Sequence, residues 1–156
     1  MVRKSTTFLL VEDDANDAFI IEQEFKRAHQ GIRVVTVCDG IEACRYLDGD
    51  AEYADRATFP LPDVILLDLK MPRFSGFDFL EWLRYKSAPH VNWTPVVVIS
   101  SSSVQRDVDR AYSLGVNSYL VKPVDWRQFR DRIKALGVYW SEHVETPRPS
   151  LQASRA

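Results

Sequence analysis

Several chemically capable side chains stand directly behind short apolar runs, at the points where those runs must end. The residues that follow the runs are Glu12, Asp13, Asp68, Ser100 and Lys122. Short apolar runs rich in branched residues are typical of strands that are covered on both faces. The sequence therefore offers carboxylates, a hydroxyl and an ammonium that can form one site, provided that the strand ends meet.

This set of groups predicts phosphoryl chemistry. Clustered carboxylates are costly unless a cation neutralises them, and oxygen ligands suit a hard ion such as Mg²⁺. The ammonium of Lys122 and the hydroxyl of Ser100 can hold an anion. These are the parts needed to move a phosphoryl group onto Asp68, with the carboxylate as nucleophile. A single aspartate at a strand end is equally typical of a turn or a helix cap, so the prediction depends on convergence.

An alternation of strands and helices would bring these residues together. Strands are predicted over 8–11, 32–37, 63–67, 96–99 and 117–121, and an amphipathic helix follows each of them. Five such units favour a parallel sheet with helices on both faces, in an α/β fold. The carboxyl ends of the strands then share one edge, where open sheets of this type bind ligands. The long polar segment 48–62 is interpreted as an exposed loop.

Composition limits the classes of function. The chain has 156 residues, of which 46% are hydrophobic and 27% charged, as in an ordinary globular domain. The net charge of −2 gives no electrostatic reason to expect nucleic acid or an anionic membrane as a partner. No apolar run approaches the roughly 20 residues of a membrane span, and no secretory signal is evident, so a cytoplasmic protein is expected. One domain is predicted over 1–144, with a flexible tail over 145–156.

Four motifs carry a resemblance to a known family. They are Val11-Glu12-Asp13-Asp14, Leu67-Asp68-Leu69-Lys70-Met71-Pro72 with Gly76, Val98-Ile99-Ser100-Ser101, and Tyr119-Leu120-Val121-Lys122-Pro123. In order and spacing the chain resembles, over residues 8–123, the receiver domain of response regulators in two-component signalling. The resemblance implies a flavodoxin-like, doubly wound five-stranded parallel sheet of order 2-1-3-4-5 with five helices. It also implies a signalling phosphoprotein that catalyses only its own phosphorylation and dephosphorylation.

The resemblance assigns roles around the metal. Asp68 would be the phosphoacceptor. Asp13, Asp68 and the backbone carbonyl of Lys70 would bind Mg²⁺ directly, and Glu12 would act mainly through water. Glu12 and Lys70 stand where many family members have Asp and Asn.

The resemblance also implies a switch. Ser100, followed by Ser101, would pair with Tyr119, and Lys122 would hold the phosphoryl anion. The bond between Lys122 and Pro123 is often cis in the family. Ser100 stands where Thr is common, which keeps the hydroxyl and loses a methyl group.

The long segment 48–62 is similar to that of single-domain regulators that partner phytochrome-type histidine kinases. The expected phosphoryl donor is therefore a histidine kinase of this type. The alternative within the fold is a receiver-like docking module that works without phosphorylation. A magnesium-dependent hydrolase of the haloacid-dehalogenase type would need a second acid two residues after its nucleophile, where this chain has Lys70.

The apolar residues of the last helix predict that the protein forms an oligomer. In receivers, the fourth helix, the fifth strand and the fifth helix form the usual partner surface. The late part of the helix is expected to run past the sheet and to expose an apolar patch. The predicted product is a homodimer, through an interface formed by Trp126, Leu136, Tyr139 and Trp140.

Overall fold

The computed structural model describes residues 5–28 and 31–147, which alternate strand and helix throughout. The strands are β1 (Thr6–Val11), β2 (Ile32–Val37), β3 (Val64–Leu67), β4 (Val96–Ser100) and β5 (Ser118–Val121). The helices are α1 (Ala15–Ala28), α2 (Gly40–Asp48), α3 (Gly76–Tyr85), α4 (Gln105–Ser113) and α5 (Trp126–Val138). A 3₁₀ turn, Ala51–Ala54, follows α2, and a π-helical turn, Tyr139–His143, extends α5. Within the described ranges, no helix has the length and apolar character needed to cross a bilayer.

All five strands are parallel, and their order is β2-β1-β3-β4-β5. The predicted fold class and strand order are therefore confirmed. The register places Val11 beside both Val37 and Leu67, so the ends of the three neighbouring strands are level. This alignment sets the residues that follow β1 and β3 side by side at the carboxyl edge.

Alternate side chains of each strand enter two separate cores. Leu9, Ile65 and Val98 pack on one face, where α2 and α3 cover the sheet. Leu10, Leu66 and Val97 pack on the other face, beneath α1 and α5. Because both faces are covered, the central strands β1, β3 and β4 are buried along their whole length.

The segment between α2 and β3 differs from the predicted exposed loop. Tyr53 is buried and packs with Tyr46 and Phe59, with ring centroids 5.0 Å and 5.1 Å from that of Tyr53. The guanidinium of Arg56 donates hydrogen bonds to the carbonyl oxygens of Tyr46 and Leu47, at 2.8 and 2.9 Å. These bonds satisfy carbonyls at the end of α2 that have no partner within the helix. The segment is thus anchored to the core by Tyr53, Phe59 and Arg56, although many of its other residues are exposed as predicted.

The end of α5 also differs from the prediction. Leu136 and Trp140 are each only 7% exposed, and both belong to the core beneath α1. They stay covered because the π-helical turn continues the helix over the sheet and Val144 packs against the same cluster. The expectation that Leu136 and Trp140 lie exposed is therefore wrong. Trp126 and Tyr139 are exposed, as an interface would require.

The chain remains attached to the domain beyond residue 144. The hydroxyl of Thr146 donates to Asp63 Oδ1 at 3.2 Å, and the other oxygen of Asp63 accepts from the backbone of Thr7. Residues 145–147 are therefore close to the start of β3. The rest of the predicted tail, 148–156, lies outside the described residues, and the boundary at 144 stays a prediction.

Candidate functional site

Backbone hydrogen bonds fix the residues at the carboxyl edge of the sheet. The N–H of Asp68 donates to the carbonyl of Val11 at 3.0 Å, and the N–H of Glu12 donates to Val37 at 3.1 Å. On the other side of β3, the N–H of Lys122 donates to the carbonyl of Ser100 at 2.8 Å. The strand ends therefore meet, as the sequence argument requires.

Three carboxylates converge at this edge. Glu12, Asp13 and Asp68 each place an oxygen so that all three oxygens lie within 4.8 Å of one another. Glu12 and Asp68 are buried, whereas Asp13 is exposed. Burial, together with the charge of Asp68, raises the pKa of Glu12 to about 8, although Lys122 acts in the opposite direction. Hard oxygen donors at this spacing and this unfavourable charge balance fit a divalent cation.

The ammonium of Lys122 contacts three carboxylates at once. Its Nζ lies 2.8 Å from an oxygen of Glu12, 2.8 Å from an oxygen of Asp17 and 3.4 Å from an oxygen of Asp68. Burial acts to lower the pKa of Lys122, but the hydrogen bonds to Asp17 and Glu12 outweigh it and raise the pKa above its usual value. Lys122 is therefore a permanent positive charge beside Asp68.

The loop after β3 orients the side chain of Asp68. Its Oδ1 accepts a hydrogen bond from the backbone N–H of Lys70 at 3.1 Å, and the side chain of Lys70 is exposed. Gly76 opens α3 against this loop, where a Cβ would lie 2.6 Å from both the carbonyl oxygen of Asp68 and Cα of Leu69. Only glycine allows this close approach without a backbone shift.

Ser100 and Tyr119, the expected switch pair, both contact Ser102. Ser100 is fully buried, and its Oγ accepts a hydrogen bond from the N–H of Ser102 at 3.2 Å. The hydroxyl of Tyr119 donates to the carbonyl of Ser102 at 2.8 Å. Ser102 Oγ in turn donates to Asp107, in the first turn of α4, at 2.6 Å. Ser102 thus links the strand end to α4.

The remaining expectations for the site have mixed outcomes. Ser101 is exposed beside Ser100. The peptide bond between Lys122 and Pro123 is trans, in contrast to the isomer often found in the family. The sequence patterns did not assign Asp17 or Ser102 to the site. An acid in the first turn of the helix after Asp13 was the available signal for Asp17.

This doubly wound sheet, with acids, a hydroxyl and a lysine at its strand ends, is the arrangement of a receiver. The response regulator receiver domain matches residues 8–134. The chain therefore belongs to the response regulator receiver family, whose general function is phosphorylation on an aspartate and whose partner is a histidine kinase.

Individual relatives resemble most of the chain. The probable methanogenesis regulatory protein FilR2 of Methanothrix harundinacea is 32% identical over 91% of this chain and 88% of its own length. The response regulator Rcp1 of Synechocystis is 31% identical over 89% of this chain and 91% of its own length.

Solved structures extend the comparison. The phosphorylated cyanobacterial phytochrome response regulator RcpA has a TM-score of 0.83 at 34% identity, covering 92% of this chain and 99% of its own. The Mn²⁺-bound form of Rcp1 has a TM-score of 0.80 at 30% identity, covering 91% and 99%. The resemblance to phytochrome response regulators that the sequence predicted is thus confirmed, and one of these relatives, Rcp1, has been solved with Mn²⁺ bound.

Proposed function

We propose that Asp68 accepts a phosphoryl group from a phytochrome-type histidine kinase and that the modification changes the surface around α4, β5 and α5. The observation that carries this proposal is the contact of Lys122 with the buried pair Glu12 and Asp68 at the carboxyl edge of the sheet. This arrangement provides a nucleophilic carboxylate with a cation beside it, which phosphoryl transfer needs.

In the proposed transfer, an oxygen of Asp68 attacks the phosphorus of a phosphohistidine. A bond from phosphorus to oxygen forms as the bond to the imidazole nitrogen breaks, and the imidazole leaves with the electron pair. Lys122 balances the charge that builds up on the phosphoryl oxygens. Hydrolysis by water later returns Asp68 to its free form. The protein is therefore no enzyme for an external substrate, and it promotes only these two steps on itself.

The proposed cation is Mg²⁺, held by Asp13, Asp68 and the backbone carbonyl of Lys70, with Glu12 acting through water. When bound, it supplies positive charge that offsets the clustered carboxylates and the phosphoryl oxygens. The exposed carboxylate of Asp13 gives the ion access from solvent. The Mn²⁺-bound form of Rcp1 supports a divalent ion of this kind.

The proposed switch begins at Ser100. A phosphoryl group adds negative charge and strong acceptor oxygens, so the hydroxyl of Ser100 should turn towards it and release the N–H of Ser102. Tyr119 can then rotate inward and release the carbonyl of Ser102. Because Ser102 also binds Asp107, both changes reach α4.

Partner surfaces support the same proposal. Phe19 and Val124 are exposed apolar residues, each two positions from Asp17 or Lys122 in sequence, and we expect a kinase to dock beside them. The phytochrome type rests on the resemblance to RcpA and Rcp1. We place this exchange in the cytoplasm and expect the protein to act as a homodimer.

Intact mass after incubation with acetyl phosphate and Mg²⁺ tests the proposal. The wild type should gain the mass of one phosphoryl group, and Asp68→Asn should gain none. Asp109→Asn, which removes an exposed carboxylate of α4, is the matched control and should be modified normally. An unmodified wild type would instead support the phosphorylation-independent docking module. A mass gain that persists in Asp68→Asn would assign the acceptor elsewhere.

A further inference from the structure

Asp17 lies beside the site although no motif marks it. It stands in the first turn of α1, where its backbone N–H donates to Asp14 Oδ1 at 3.0 Å. The same oxygen accepts from the N–H of Asn16 at 2.8 Å. Asp14 therefore starts the helix and fixes the position of Asp17. A carboxylate in this turn is also favoured by the positive end of the helix dipole.

Asp17 holds Lys122 as closely as any other residue does. The distance from Nζ to Asp17 is 2.8 Å, equal to that for Glu12 and shorter than the 3.4 Å to Asp68. An ammonium has three N–H groups, and here each of the three meets a carboxylate. The side chains of Lys122 and Asp17 are 13% and 30% exposed, so solvent screens this ion pair only in part. At rest, the ammonium is nearer to Asp17 than to Asp68.

Asp17 contacts the site through Lys122 alone. Among the described residues, the acids that can share a metal ion are Glu12, Asp13 and Asp68, and Asp17 is not one of them. Within the described residues, its polar contacts are the ion pair with Lys122 and the hydrogen bond from its own N–H to Asp14. A change at Asp17 should therefore alter the lysine without removing a metal ligand.

We infer that Asp17 is a positioning residue that restrains Lys122 and thereby lowers the affinity of the site for an anion at Asp68. An anion there needs the ammonium, which can come closer only if its contacts with Asp17 or Glu12 lengthen. The negative charge of Asp17 also opposes a second anion nearby. Both effects have the same sign, so neutralising Asp17 should tighten anion binding. The inference rests on the proposed function, because it takes Asp68 as the anion site.

Binding of beryllium fluoride in excess Mg²⁺ provides the test, because this anion can coordinate a carboxylate oxygen without a chemical turnover. Calorimetric titration should give a roughly fivefold lower dissociation constant for Asp17→Asn than for the wild type. A change of this size corresponds to the loss of one partly exposed ion pair. Asp17→Glu, which keeps a carboxylate in reach of Lys122, should remain near the wild type. Glu22→Gln removes the same charge from α1, where Glu22 accepts from Thr36, and it should change nothing.

The outcomes separate the two ideas. Tighter binding in Asp17→Asn alone supports the restraint. Unchanged or weaker binding in Asp17→Asn overturns the restraint and leaves the proposed function intact, as does equal tightening in Glu22→Gln or Asp17→Glu. If the wild type binds no beryllium fluoride, or if Asp68→Asn binds it as well as the wild type does, the proposed function and the inference are both overturned.

Discussion

At the scale of single residues, charge is unevenly distributed between the buried and the exposed side of the site. Glu12 and Asp68 are buried with Lys122 between them, and Asp13 faces solvent. Buried charges are tolerated when each has a partner, and Lys122 supplies one for both acids. Asp13 faces solvent and makes no ion pair with Lys122, so its carboxylate is the one most open to an incoming cation.

Asp13→Asn should therefore weaken binding of Mg²⁺ by at least about tenfold. Losses of this size follow even when a metal site loses a group that only orients one of its ligands. In metal-free buffer, the same change should leave the free energy of unfolding unchanged or raise it by about 0.2–1 kcal/mol, because like charges are relieved. Calorimetric titration and urea unfolding measure the two quantities. Asp109→Asn serves as the control, and equal metal affinity in Asp13→Asn and the wild type would contradict the assignment.

Lys70 presents a second charge near the phosphoryl position. Its backbone holds Asp68, while its exposed side chain is free to pair with phosphoryl oxygens and shield them from water. In excess Mg²⁺, Lys70→Asn and Lys70→Ala should lose the phosphoryl group about 1.5 to 5 times faster, as expected for one exposed ion pair. Lys134→Ala, on the exposed face of α5, should match the wild type. If neither Lys70 variant hydrolyses faster, Lys70 is a solvated surface charge.

The residue types at the strand ends could be predicted from the sequence because each follows a buried run that must stop there. The partners of Lys122 could be predicted only in part. Asp17 and Lys122 are 105 residues apart in the chain, and only the fold brings the carboxylate to the ammonium. Ser102 was not assigned to the site for a similar reason, since its role depends on contacts with Tyr119 and Asp107, which belong to different elements.

At the scale of elements, α3 controls the loop that holds Asp68. Its first residue, Gly76, packs directly on backbone atoms of Asp68 and Leu69. The helix begins with a capping box, in which Ser75 and Asp78 bond to each other's backbone N–H. The start of α3 is therefore fixed, and a side chain at position 76 must displace the loop rather than the helix.

Gly76→Ala should lower the free energy of unfolding by about 1–3 kcal/mol, the usual cost of overpacking. It should also weaken Mg²⁺ binding, because Asp68 moves with the loop. Gly31→Ala is a matched control, since a Cβ there meets nothing within 4 Å. Urea unfolding and metal titration of both variants check the prediction. Equal stability of Gly76→Ala and the wild type would show that the loop after β3 can move away from position 76 without a cost in stability.

The sequence also predicted the elements unevenly. β2 was predicted at its observed limits because branched residues fill it between a glycine and a turn. The segment after α2 was predicted as an exposed loop because its composition is polar. Tyr53 and Phe59 nevertheless pack on Tyr46, and Arg56 caps the helix, so a few aromatic contacts outweigh the average polarity.

At the scale of the whole molecule, the sheet is incompletely covered at β5. This strand stands at one edge of the sheet, and its residues are only partly buried. Leu120 and Tyr139 border a shallow groove there, with the buried residues Leu136 and Trp140 at its base. An uncovered edge strand beside apolar groups invites pairing with another chain.

We therefore expect a homodimer through the surface that includes β5 and the end of α5. Tyr139 and Trp126 would be its exposed contacts. Leu136 and Trp140 would pack beneath this surface, inside each protomer. Tyr139→Ser should shift the protein towards monomer at tens of micromolar, because it removes the most exposed ring bordering the groove. Tyr85→Ser, which removes a ring that is 74% exposed at the end of α3, should leave the dimer intact. Light scattering on the eluting protein, with and without phosphorylation, measures the mass directly. A wild-type monomer in both states, or equal dissociation in both variants, would mean that this surface serves another partner.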